Sequence, residues 1–96
     1  MPVYNPVTGL EPFHSSVVYP NPNQGNLMVE VSVKEEATIQ IDIFNLVGSE
    51  VASHGVAALS GKTNLTMDLT GLSKGIYFCR ITVNGTTQTH RFVIIP

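Results

Sequence analysis

Apolar residues recur at every second position through most of this chain, and that period leaves little choice of fold. From Leu27 to Val33 the odd positions are Leu27, Val29, Val31 and Val33, with Met28, Glu30 and Ser32 between them. Ile39, Ile41 and Ile43 resume the alternation against Gln40 and Asp42. Successive side chains of a strand point to opposite faces, so each run reads as a half-buried β-strand. Leu65, Met67 and Leu69 repeat the pattern, and so do Tyr77, Cys79, Ile81 and Val83.

Turn signals punctuate these runs. Ser16–Tyr19 reads as a first strand stopped by Pro20 and Pro22, which suits a sheet edge where no ladder N–H is required. Asn23-Gln24-Gly25-Asn26 turns the chain, and Glu35-Glu36 reads as the solvated turn of a hairpin between the Leu27 and Ile39 runs. Asn45-Leu46-Val47-Gly48 is a hairpin loop leading to a short strand around Val51, and Asn84-Gly85 is the strongest hairpin signal of all. The stretch from Gly55 to Gly61 lacks a period and reads as a loop or a poorly paired edge. Thr86 to Ile95 completes a seventh strand. Seven short strands predict an all-β, immunoglobulin-like antiparallel sandwich over residues 16–96, with the proline-bearing residues 1–15 as a linker.

Composition narrows function mainly by exclusion. A chain of 96 residues makes one small domain with little room for a deep cleft. Net charge is only −2, and Lys34, Lys62, Lys74, Arg80 and Arg91 are scattered, so no basic stripe exists for nucleic acid. No apolar run approaches the ~20 residues of a membrane span, and the N-terminus lacks the parts of a signal peptide. The chain therefore reads as the end of a longer precursor with its export signal upstream. Cys79 is a single cysteine and has no disulfide partner in the chain.

His14, His54 and His90 share no face and are read as solvated, with no metal or cofactor expected. Asp42 and Asp68 fall on outward strand positions and are read as solubilising residues. No Gly-x-Ser-x-Gly elbow occurs, and catalysis is not expected. Asn64-Leu65-Thr66 and Asn84-Gly85-Thr86 match the glycosylation sequon, though Asn84 is accounted for by its turn. Asn21-Pro22-Asn23 has no carboxylate nearby to make a calcium loop.

Two local features stand out. Tyr77 precedes Cys79 by two residues at the start of a late strand, the spacing of an immunoglobulin tyrosine corner, in which the phenol bonds backbone a few residues upstream. The last strand is apolar on both faces, with Phe92 and Ile94 against Val93 and Ile95. Either neighbouring segments cover its second face, or it is a docking surface or dimer edge open to strand addition. Phe44 and Phe78, out of phase with the inward residues of their strands, would extend such a patch.

Three motifs in order carry a resemblance: Tyr19-Pro20-Asn21-Pro22 with Gly25, then Asn45, Gly48 and Val51, then Leu72, Gly75 and Tyr77. Together, over roughly residues 17 to 95, they resemble the C-terminal sorting domain of Por (type IX) secretion substrates of Bacteroidetes-type bacteria. The resemblance implies an export address for an upstream passenger. It implies recognition by type IX translocon components in the periplasm and removal by a sortase-like peptidase, leaving the passenger on the outer-membrane surface or secreted. Cleavage is expected before Ser16. The chain departs from the family pattern at its end, where Arg91 is the sole basic residue before Phe92-Val93-Ile94-Ile95-Pro96. Recognition by that strand would then rest on main-chain pairing and apolar burial. The rival reading is a constitutive immunoglobulin-like or fibronectin type III-like spacer, or a carbohydrate-binding accessory module, although the chain holds no tryptophan for sugar stacking.

Overall fold

The alternating runs become strands whose apolar faces meet. The computed structural model describes residues 13–96, residue 59 aside, so residues 1–12 of the linker expected over 1–15 lie outside the described residues. The strands are β1 (Phe13–Tyr19), β2 (Asn26–Val33), β3 (Ala37–Asn45), β4 (Glu50–Ala58), β5 (Gly61–Asp68), β6 (Gly75–Val83) and β7 (Thr86–Ile94). β1 thus starts at Phe13, three residues before the expected boundary at Ser16.

All pairings between these strands are antiparallel, in a three-stranded sheet ordered β1-β2-β5 and a four-stranded sheet ordered β4-β3-β6-β7. This is the immunoglobulin-like sandwich, with the fourth strand placed beside the third instead of on the opposite sheet as in a constant domain. Leu27, Val29, Val31, Ile39, Ile41, Ile43, Cys79, Ile81, Val83 and Phe92 are fully buried between the sheets. The hairpin at Asn84-Gly85 forms as expected, with positive φ at both residues.

Glu35-Glu36 does not close a hairpin. β2 and β3 lie in different sheets, and the chain crosses between the layers here. Each strand has a wholly apolar face, and setting the two opposite one another buries both at once, which side-by-side pairing would not do. The Gly55–Gly61 stretch is also more regular than its composition suggests: β4 runs through Ala58 and β5 begins at Gly61. Its period is weak because β4 is an edge strand. With β1 lying against β7, a four-stranded sheet on a three-stranded one leaves β4 overhanging. Val51, Ala52 and Val56 are accordingly only half-buried.

Asp42 corrects a third expectation. It does lie on the outer face of the four-stranded sheet, yet it is only 7% exposed. Gln40 Nε2 donates to its Oδ1 at 3.1 Å, and the Arg80 guanidinium reaches its Oδ2 at 3.4 Å. Arg80 also lies 4.5 Å above the Phe44 ring, so one side chain covers a carboxylate and an aromatic face together. Among the described residues no buried side-chain nitrogen or oxygen lacks a hydrogen-bond partner.

Candidate functional site

The strand register gathers the three motifs at one end of the sandwich. Asn45 is paired with Tyr77, Tyr77 with Phe92, Gly75 with Ile94, and Ile94 with Asn23. Residues of all three motifs therefore meet near the C-terminal end of β7.

The first motif closes the outer edge of that strand. Asn21 Nδ2 donates to the Arg91 carbonyl at 3.2 Å, and its Oδ1 accepts the Val93 N–H at 3.0 Å. Two residues on, the Asn23 N–H donates to the Val93 carbonyl at 2.9 Å and the Asn23 carbonyl accepts the Ile95 N–H at 2.8 Å. An asparagine side chain and an asparagine backbone thus stand in for a neighbouring strand. Pro20 and Pro22, having no N–H, leave no donors of their own unpaired beside them. Asn23 is 4% exposed and holds the segment in shape, donating from Nδ2 to the Pro20 carbonyl and accepting the Gly25 N–H at 2.7 Å. Gly25 has φ +111°, and a Cβ there would sit 2.8 Å from Thr70 Cα, so only glycine fits. Gln24 reaches the carbonyl of Pro96 at 3.0 Å.

This answers the question left by the doubly apolar last strand. Phe92 and Ile94 belong to the core, and the edge from Arg91 to Ile95 is already paired by residues 21–23. Strand addition or dimerisation there is blocked in this conformation. Farther along, Ser16 donates to Gln88 Oε1 and sits 2.8 Å from His90 Nε2, tying β1 to β7.

The other two motifs are equally structural. Asn45 Oδ1 accepts the N–H groups of Val47 and Ser49 at 3.1 and 2.9 Å and so fixes the β3–β4 turn. Val51 packs on the core beyond it, and Leu72 does so ahead of β6. Tyr77 forms the predicted corner, its hydroxyl donating to the Ser73 carbonyl at 2.6 Å. The Tyr77 ring stacks on Phe92 with centroids 5.9 Å apart.

Several apolar side chains stay outside at this end. Leu46 is 65% exposed, Val47 84% and Ile95 41%. Ile76 and Val93 pair across β6 and β7 on the outer face, and Phe44 and Phe78 pair one row away, all four half-buried. A shallow depression lined by Phe44, Leu46, Phe78 and Arg80 lies between the hairpin tip and the sheet face.

Among the described residues, the titratable groups with shifted pKa values lie apart and serve local structure. Asp68 accepts from the Thr70 N–H and hydroxyl, which lowers its pKa and shapes the turn after β5. Burial lowers the pKa of His90. The Cys79 thiol is pushed up to about 12 by burial, with the nearby Asp42 charge adding to the effect, and is no nucleophile. His54 is exposed, Asn64 lies on the exposed face of β5, and no group of metal-ligating residues forms among the described residues.

The pairing of Asn21 and Asn23 with β7 had no local signal in the sequence, because its partners lie about seventy residues away. A family model described as a secretion system C-terminal sorting domain matches residues 17–95. No curated protein matches the chain.

Proposed function

The chain belongs to the secretion system C-terminal sorting domain family, and from that premise we propose how it serves as an export address. Membership makes it a sorting signal of the type IX kind, acting toward the cell surface or secretion, in a family that is generally non-catalytic. It directs an upstream passenger to translocon components in the periplasm, which read it as a folded module. A sortase-like peptidase then cuts upstream of β1, leaving the passenger on the outer-membrane surface or released.

The observation that carries this reading is the concentration of family motifs and exposed apolar residues at one end. Leu46, Val47 and Ile95 contribute nothing to the buried core there and remain uncovered. Docking of that end would bury them, at about 25 cal/mol per Å² of apolar surface. Phe92 to Pro96 enters recognition through Val93 and Ile95 on this surface, and not as a free strand.

The test fuses residues 1–96 behind a fluorescent reporter in a host with this secretion system. The reporter should reach the medium or cell surface, and Leu46→Glu with Val47→Glu should stop export while the melting temperature stays within a few degrees. A reporter retained by the unaltered fusion would sink the export reading. Undiminished export of the doubly charged variant would move recognition away from this end.

A further inference from the structure

The outer face of the four-stranded sheet carries its charges in a fixed order. Strand register sets Glu50 beside Phe44, Phe44 beside Phe78 and Phe78 beside Arg91, so one row crosses all four strands as acid, ring, ring, base. The next row runs Ser53, Asp42, Arg80, Thr89 and repeats that order of sign. Both carboxylates of this face therefore lie on β4 and β3, and both guanidiniums on β6 and β7. Asp42 and Arg80 already pair with one another at 3.4 Å within the sheet. Glu50 and Arg91 are exposed, and neither makes an ion pair among the described residues. Ile76 and Val93 extend the two rings into a half-buried apolar strip.

We propose that this face binds a second copy of itself, packed sheet on sheet about a two-fold axis that runs along the strands between β3 and β6. Such an axis lays each row on itself in reverse order. Glu50 of each copy then meets Arg91 of the other, Phe44 meets Phe78, and the two Asp42–Arg80 pairs stack in opposed sense. A face with the same sign on both halves would repel its own image under this operation, whereas opposite signs make it complementary to itself. A uniformly acidic or basic partner would gain at one end of the first row and lose at the other, about 14 Å away. The centre of the contact holds two rings from each copy and charges already paired, so no lone charge is buried there. The face spans about 500 Å² on each copy, small for a specific contact, which sets the expected association in the high micromolar range. The inference stands independently of the export reading, because its test reads mass in solution.

Sedimentation of the 96-residue chain across a concentration series tests it, the expected mass rising from 10.4 kDa toward twice that value. Glu50→Lys sets like charges together at both ends of the row and should weaken association about tenfold, as should Arg91→Glu. Mixing these two single variants makes both contacts opposite in sign again, so the mixture should associate to near the parent level while each variant alone stays monomeric. Both sites are exposed, and both variants should melt within a few degrees of the parent. In the parent chain, concentration-dependent NMR shifts should gather on Phe44, Glu50, Phe78 and Arg91 and spare Glu30 and Lys62 on the other sheet, a readout that needs no variant. A monomer up to about 1 mM, a dimer indifferent to both variants, a mixture that fails to recover, or shifts gathered on the other sheet would each overturn the proposal.

Discussion

The two edges of the four-stranded sheet show what the unusual residues of this chain are for. Along β7, the Arg91 and Val93 carbonyls and the Val93 and Ile95 N–H groups are taken up by Asn21 and Asn23, and Ser16 ties the strand to β1 further along. Along β4, alanine, serine and glycine leave the edge bare. The most distinctive heptad of the sequence is therefore a long-range closure that joins the start of the domain to its end. Where no closure is needed, the composition becomes plain. The asparagines of the family motifs act through the fold, closing the outer edge of β7 and fixing the turn after β3.

Substitutions on the two sides should separate accordingly. Tyr77→Ala should cost the most, about 3 to 5 kcal/mol by urea denaturation, because it empties a core site against Phe92 and removes the corner bond to Ser73. A loss below about 1 kcal/mol would show that the corner does not anchor this end. Gly25→Ala should follow at about 2 to 3 kcal/mol, from a left-handed backbone and a clash with Thr70 that cannot be relieved by a rotamer change.

Asn23→Ala should cost about 2 kcal/mol, since it leaves the Pro20 carbonyl and the Gly25 N–H without their side-chain partners. Ser53→Ala on β4 should stay within about half a kcal/mol. Equal losses from these two would erase the contrast between the edges.

The smallest expected effect is on pH dependence. Burial lowers the pKa of His90, so the folded state holds that proton less readily than the unfolded chain. Stability should be complete above the ordinary histidine range and decline as pH falls below about 6.5 toward the depressed folded value. With the ring largely solvent-screened, the decline should be about half a kcal/mol or less, and His90→Gln should flatten it. A stability that rises on acidification through this range would contradict the assignment.

Much of the fold was legible because burial follows period two wherever both neighbours of a strand are present. Leu27–Val33, Ile39–Ile43 and Tyr77–Val83 alternate as central strands should, and their inward residues are the observed core. The tyrosine corner was legible because its partner, Ser73, lies only four residues from Tyr77. β4 was obscured because an overhanging edge has no fully buried face to impose a pattern. The crossover at Glu35-Glu36 was misread as a hairpin because a charged turn looks alike whether the next strand stays in the sheet or leaves it. The face of Asp42 was read rightly but its burial was missed, because strand phase does not tell that Arg80, thirty-eight residues later, will cover it. The candidate site was legible only as motifs. Their meeting at one end depends on cross-strand register, which pattern within a strand does not specify.

The contrast is tested most directly by hydrogen exchange on dilute protein, residue by residue. The Val93 and Ile95 amides should remain protected after the β4 amides that point away from β3 have exchanged, and Asn21→Ala should release Val93 while leaving Ile95 held by the Asn23 carbonyl. If Val93 and Ile95 instead exchange as fast as the bare edge of β4, the terminal strand is not sealed and the first motif must have another role.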